Sequence, residues 1–314
     1  MKILVTGANG FIGSALIDYY SNMPEIEVVG LVRKLERDSI NNVEFRRWDI
    51  GLPAKKLPNL SDIDVIIHTA GRAHIMNDSS NDPLKEFRKV NTHGTLHLAT
   101  LAAANGVSRF IFLSSIKASG ENTKVGIPFS RNNLGKPIDA YGLSKYEAEV
   151  GLMKISQASG LEITIVRPPM VYGTGVKGNF NTLVKILSMR VPLPLGSIVD
   201  NRRSMVGIDN LVSMLGVCVK HPNAANKLFF VSDNNDLSTI SLLTLLGSAL
   251  EVPAITFRFP VVALCLIAKL FGAKLITQRI IGNLQVDISA TLNELQWVPP
   301  YTVEENFQKI KKIK

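Results

Sequence analysis

The chain is poor in cysteine, poor in aromatic residues and lacks any apolar run long enough to cross a bilayer. Its two cysteines, Cys218 and Cys265, both sit in apolar runs, which predicts buried reduced thiols and argues against a disulfide framework. No cluster of histidine, cysteine and acidic residues has metal-ligand spacing. His93 and His97 share a helix face without a third ligand, so no metal site is expected. Aromatic residues are 7 % of the chain, and zinc-finger spacings, an RNA-binding aromatic signature and long basic blocks are missing; nothing marks a nucleic-acid partner. The most apolar stretch, Phe259 to Phe271, is interrupted by Lys269 and is too short for a span. It predicts a core or lid helix without stable membrane insertion, with peripheral contact at a membrane surface as the competing reading. Repeats, low-complexity segments and flexible linkers are also missing. Met1 leads directly into a strand-like run, so no signal peptide is expected and the expected compartment is the cytoplasm.

What is present suffices for one large domain or two ordinary ones: 314 residues, 46 % hydrophobic and 19 % charged, a composition that supports a sizeable core. The formal net charge of +9 is scattered, with local clusters at Arg33 to Arg37, Arg202-Arg203 and the Lys309 to Lys314 tail. It fits an anionic substrate, a nucleic acid or a membrane surface.

The first thirteen residues organise the rest. Lys2 to Val5 reads as a buried strand, Thr6 to Gly13 as a glycine-rich turn, and Ser14 to Tyr20 as a helix. Strand, glycine turn and helix in that order make an anion site, because free N–H groups and the positive helix end face a phosphate. Gly7 serves the tight turn, Gly10 the close approach of a pyrophosphate, and Gly13 the packing of helix on strand. The spacing is G-x-x-G-x-x-G, which points to one branch of dinucleotide-binding enzymes.

Strands follow at Glu27–Val32, Val43–Trp48, Asp64–His68, Arg109–Leu113 and Leu161–Val166, with a long helix over Phe87–Ala104 and another opening at Tyr141. This alternation predicts an α/β chain: a doubly wound parallel sheet covered on both faces. Arg33 ends the second strand, where an acidic residue would bind the ribose hydroxyl of NAD and an arginine a 2′-phosphate; it leans the expectation from NAD toward NADP. Asp49 and Ile50 are placed to meet adenine. Thr69, Ala70 and Gly71 are small enough for a cofactor to pass. Beyond about Gly173 the rhythm changes, with helical patterns at Ile208–Val219, Ser238–Leu250 and Val261–Phe271 and a strand at Leu228–Val231. The expected division is a dinucleotide domain over 1–173, with about 204–233 packing back on it, and a smaller substrate-binding portion over 174–314.

Tyr141 and Lys145 are four apart at a helix start and share a face. A nearby ammonium and an oxidised nicotinamide are both expected to lower the phenol's pKa from its ordinary value near 10. Tyr141 would then exchange a proton with a sugar hydroxyl or ketone, with Ser115, at the end of the fifth strand, hydrogen-bonding the same oxygen.

These motifs, with His68 to Gly71, Val90-Asn91, Gly94-Thr95, Arg167-Pro168 and Arg202-Arg203, resemble the extended short-chain dehydrogenase/reductases of the nucleotide-sugar epimerase and reductase group, over nearly the whole chain. The resemblance implies a Rossmann-type sheet, catalytic roles for Ser115, Tyr141 and Lys145, and a bracing role for Asn91. It implies a cofactor site of Gly7, Asn9, Gly10, Phe11, Ile12, Gly13, Arg33, Asp49, Ile50, Thr69, Ala70, Gly71, Asn91 and Pro168 beside Tyr141 and Lys145. It implies a UDP-sugar site at Ser115, Lys177, Asn179 and Arg203, and a homodimer through the helices that hold Asn91 and Tyr141.

Related dehydratases carry an Asp-Glu pair where this chain has Ile116 and Lys117, so dehydration is not expected. Glu121 lies close by but at a different position, and a decarboxylase is disfavoured because the acidic partner such enzymes carry near Lys117 is missing. Two enzymatic readings remain. The resemblance favours reduction of a UDP-4-keto-6-deoxy-N-acetylhexosamine to UDP-N-acetylquinovosamine in bacterial surface polysaccharide biosynthesis. The other is a UDP-glucose or UDP-N-acetylglucosamine 4-epimerase with tightly bound NAD. A redox-sensing protein that binds dinucleotide without turnover would have lost the tyrosine or lysine that this chain keeps.

Overall fold

The computed structural model describes every residue except 36–38, 41, 52–58, 74–79, 81, 177–178, 271–273 and 311–314, and the backbone alone at 40, 179, 181, 274–276 and 279. The chain runs β1 (Lys2–Thr6), α1 (Phe11–Ser21), β2 (Glu27–Val32), β3 (Ser39–Ile40), β4 (Val43–Arg47) and β5 (Val65–His68). A long helix follows as α2 (Pro83–Phe87), a wider π-helical stretch (Arg88–Gly94) and α3 (Thr95–Ala104), then β6 (Arg109–Leu113), α4 (Ala140–Ser159) and β7 (Glu162–Arg167). The remainder is β8 (Met170–Tyr172), α5 (Asn179–Ser188), β9 (Met205–Gly207), α6 (Ile208–Lys220), β10 (Lys227–Phe230), α7 (Thr239–Ala249), α8 (Val261–Leu270), α9 (Lys274–Ile281), α10 (Ser289–Leu295) and α11 (Val303–Gln308).

The main sheet has the order β10-β7-β6-β5-β1-β2-β4-β3. It is parallel except for β3, which pairs antiparallel with β4. Leu4 pairs with Val29 on one side and Ile66 on the other, so alternate residues of β1 serve two faces. Ile3 and Val5 join one core with Leu16 of α1 and Leu211 and Leu215 of α6. Leu4 joins the other core, with Leu98 of α3 and Leu152 of α4. Two covered faces account for the near-continuous apolar strands. A third core holds Tyr172, Phe180 and Phe307, the Tyr172 and Phe307 rings 4.6 Å apart.

Strand order reverses at β1, which lies between β2 and β5. A crevice therefore opens beyond the carboxyl ends of β1 and β5, where ligands bind in folds of this kind. Gly7 has φ +68°, and a Cβ there would lie 3.0 Å from the Ala70 backbone. At Gly13 a Cβ would lie 2.1 Å from the Gly7 carbonyl oxygen, so α1 sits on the turn more closely than any side chain permits.

The structure departs from the sequence expectations in several places. The helix expected from Phe87 starts at Pro83, because the Asp82 carboxylate caps it by accepting from the Lys85 N–H at 3.0 Å. The β8–β9 pair escapes sequence reading because each strand is three residues long, too short for a periodic signal. The predicted core helix forms as α8, but only Ala268 in it is buried; Val262, Leu266 and Leu270 are 72 %, 59 % and 84 % exposed. Cys218 is buried as expected, while Cys265 on α8 is only half-buried. Among the described residues no helix is long and apolar enough to cross a membrane.

Gly13→Ala is expected to cost about 2 kcal/mol or more of unfolding free energy, since the added methyl meets backbone that cannot yield without moving α1. Urea denaturation reads this directly, and a cost below roughly 0.5 kcal/mol, within the range of neutral surface changes, would contradict the packing described.

Candidate active site

At the amino end of α1 the cap residue is Gly10, which offers no side chain to the free N–H groups of the first turn. Asn9 and Gly10 are exposed, Phe11 and Ile12 half-buried, and Gly13 buried. The residues present therefore fit a phosphate at this turn. Arg33 follows β2 and is exposed. Asp49 accepts from the Gly51 N–H at 3.0 Å, and the Ile50 carbonyl lies so close to Gly94 that a Cβ there would approach it to 2.6 Å.

The far wall of the crevice is fixed by a buried relay. Thr6 Oγ1 is 2.6 Å from His68 Nδ1, and His68 Nε2 is 2.9 Å from Thr95 Oγ1. His68 is fully buried, and desolvation, with Lys145 nearby, holds its pKa well below the usual value; the ring is neutral at pH 7. Thr6 Oγ1 also accepts from the Ala70 N–H at 3.0 Å, and the Thr69 hydroxyl donates to the Thr6 carbonyl at 2.6 Å. These bonds pin Thr69, Ala70 and Gly71. A Cβ on Gly71 would lie 3.2 Å from Asn91 Oδ1 and 3.4 Å from Lys145 Nζ.

Asn91 lies in the π-helical stretch, completely buried. Its Oδ1 accepts from the Arg72 N–H at 2.8 Å, and its Nδ2 donates to the Arg72 carbonyl at 3.1 Å and the Ser144 hydroxyl at 3.0 Å. Asn91 thus ties the loop after β5 to the first turn of α4, a bracing position.

Helix α4 carries Tyr141 and Lys145. Asp139 caps it, accepting from the Gly142 N–H at 2.6 Å. The Ser115 hydroxyl hydrogen-bonds the Tyr141 phenol, and Phe87 packs edge-on to the phenol ring at 5.8 Å. Burial pushes the Tyr141 phenol up to about 12, opposed by the Ser115 hydrogen bond and reinforced by the Asp139 charge. Lys145 alone does not offset this burial. Lys145 is 3 % exposed and donates to the Leu113 carbonyl at 2.9 Å, which fixes its position. Desolvation pulls its pKa down to about 8 against the opposing pull of Glu149.

Lys117 is paired with carboxylates. Its ammonium bridges Glu121, at 2.8 Å, and Asp139. Ile116 is buried, so neither position supplies a free acid or base for dehydration. The Pro168 carbonyl accepts from the Ile116 N–H at 2.9 Å and positions the Ser115 turn. Arg203 lies on a segment bridged to Leu237 and Leu284, and its guanidinium donates to the Gly282 carbonyl at 3.1 Å. Lys177 lies outside the described residues, as does the side chain of Asn179.

Sequence reasoning missed Glu149. Its carboxylate accepts from Arg167 Nε at 2.9 Å and also contacts Arg167 Nη2 and the Ser114 hydroxyl, all buried. The available signal was position: Glu149 is one more turn along the face that holds Tyr141 and Lys145, and a guanidinium at the end of a buried strand needs a counter-ion.

A model of the NAD dependent epimerase/dehydratase family matches residues 3–230. The UDP-glucose 4-epimerase of Vibrio cholerae is 43 % identical over 313 residues, which cover 98 % of this chain and 93 % of that protein. A UDP-2-acetamido-2,6-beta-L-arabino-hexul-4-ose reductase of Pseudomonas aeruginosa is 29 % identical over 68 % of this chain and 48 % of its own length. The crystal structure of a UDP-glucuronic acid 4-epimerase from Bacillus cereus, in complex with UDP-glucuronic acid and NAD, superposes with a TM-score of 0.78 at 20 % identity, covering 100 % of both chains.

Glu149→Gln is expected to cost about 3 kcal/mol or more of unfolding free energy, because it leaves the Arg167 guanidinium buried without its counter-charge. It also removes the carboxylate that holds Lys145 up, so Lys145 should titrate below about 8. Denaturant titration reads the first effect and NMR titration of the lysine side chain the second; an unchanged Lys145 pKa would contradict the coupling.

Proposed function

The chain belongs to the NAD dependent epimerase/dehydratase family, and from that premise we propose that it is a UDP-sugar 4-epimerase that retains NAD through its cycle. The observation that carries this reading is the near full-length similarity to a UDP-glucose 4-epimerase. It is weighted above the keto-sugar reductase reading, which draws on Arg33 at the end of β2 and on a reductase relative that matches over a shorter span.

Gly7, Asn9, Gly10, Phe11, Ile12 and Gly13 would hold the pyrophosphate, and Asp49 and Ile50 the adenine. Thr69, Ala70, Gly71, Asn91, Lys145 and Pro168 would line the path to the nicotinamide. Bound NAD would accept and return the hydride at sugar carbon 4, and its positive ring would favour the phenolate. Tyr141 exchanges the proton of the 4-hydroxyl. With its phenol pushed up to about 12, it is well suited to return that proton to the keto oxygen. Ser115, bonded to the phenol, can pass its hydrogen bond to the sugar oxygen and hold it in line. Lys145, a buried cation fixed on the Leu113 carbonyl, adds positive potential without moving.

Arg203, with Asn179 and Lys177, is assigned to the UDP diphosphate, where a guanidinium fork suits phosphate oxygens. The unit that binds NAD then comprises 1–173 with 204–233, and the sugar-nucleotide portion the rest of 174–314. Pairing of two copies through the long helices that hold Asn91 and Tyr141 belongs to the same reading; Tyr146 and Val150 are exposed on α4.

Incubated with UDP-glucose or UDP-N-acetylglucosamine and no added cofactor, the protein is expected to form the 4-epimer. Tyr141→Phe should lower kcat by roughly 10²–10⁴ with KM little changed. A requirement for added NADPH and a 4-keto substrate would replace this reading with the reductase, and an unimpaired Tyr141→Phe would overturn both.

A further inference from the structure

Helix α8 and the ribbon that leads into it expose what a surface helix normally hides. The ribbon is short: Leu193 bonds the main chain of Ile255 and Phe257 at 2.9 and 3.0 Å, and alternation turns Ile255 and Phe257 outward, 42 % and 47 % exposed. Phe257 packs edge-on to Phe259 at 6.3 Å, and Pro260 then starts α8. On α8 the outward stripe is Val262, Leu266 and Leu270, at four-residue spacing, flanked by Ile267. Arg258 and Lys269 are exposed beside it. Between Glu251 and Asp287 the sequence has no acidic residue, yet it has Arg258, Lys269, Lys274 and Arg279.

We propose that this face docks on an anionic lipid surface, with the apolar stripe entering the headgroup boundary and Arg258 and Lys269 meeting lipid phosphates. Apolar area combined with charge of one sign is what interfacial binding uses. A second copy of the chain is a poorer occupant. A two-fold contact sets the same patch against itself, so Arg258 and Lys269 would face their own equivalents, and the segment between Glu251 and Asp287 offers no acidic residue to meet them. The docked arm would not be remote from the substrate portion, because α9 ends beside Gly282, whose carbonyl holds the Arg203 guanidinium.

The test is co-sedimentation of the full chain with vesicles of phosphatidylcholine alone and of an equimolar phosphatidylcholine–phosphatidylglycerol mixture. Binding to the mixed vesicles is expected to be at least about tenfold stronger and to weaken as salt rises. Leu266→Asp and Leu270→Asp should each reduce it by roughly tenfold, with unchanged melting temperature and unchanged turnover of sugar nucleotide in solution. Lys269→Glu should reduce it for anionic vesicles. The proposal is overturned by no binding to either vesicle, by equal binding to both, or by aspartate variants that bind like the wild type. It is also overturned if sedimentation shows a dimer that Leu266→Asp dissociates, since a second copy then covers the face.

Discussion

Lys145 is 3 % exposed, its ammonium donates to the Leu113 carbonyl at 2.9 Å, and it stands 4.5 Å over the Phe112 ring. Removing a cation from water costs several kcal/mol unless fixed partners compensate it. Much of the surrounding structure supplies such compensation. The carbonyl that accepts from Lys145 closes β6, between β7 and β5 in the parallel sheet. Glu149 sits one turn along α4 and places a carboxylate within electrostatic reach. That carboxylate is itself shared with Arg167 at the end of β7 and Ser114 after β6. Three consecutive elements are thereby locked in register behind the candidate catalytic phenol, so α4 cannot slide without stranding two buried cations.

The same crevice is closed from the other side by hydroxyls and glycines. Thr6, His68 and Thr95 link β1, β5 and α3 through neutral hydrogen bonds, which carry no desolvated charge. Gly7 and Gly13 let the first turn approach Ala70 and α1 more closely than a side chain allows. A rigid wall with no side-chain cap on α1 meets a charged wall with a buried cation. In the proposed reading the dinucleotide lies between them, phosphates at one end and the proton-transfer groups at the other.

Much of this arrangement was legible in the residues. The glycine turn, the strand endings and the i, i+4 pair of Tyr141 and Lys145 are local signals, and local signals survive folding. What was not legible is non-local. The Glu149–Arg167 pair joins residues 18 apart on separate elements, and Lys117 reaches Asp139 across 22 positions. The direction of the Tyr141 shift also depended on burial, which spacing does not report; proximity to Lys145 suggested the opposite sign. Apolar content marked α8 as helical, but it carried no information on which side solvent lies. The family match and the full-length relative moved the weight from reductase to epimerase, a distinction the residues at Ser115, Tyr141 and Lys145 serve equally.

At the centre of the account is a hydride that leaves sugar carbon 4 and returns to the same sugar. UDP-glucose carrying deuterium at carbon 4, incubated with the protein alone, tests it most directly. Mass spectrometry of the 4-epimer should find the deuterium retained at carbon 4. Epimer that has lost the label, or no epimer until reduced cofactor is added, would contradict the account.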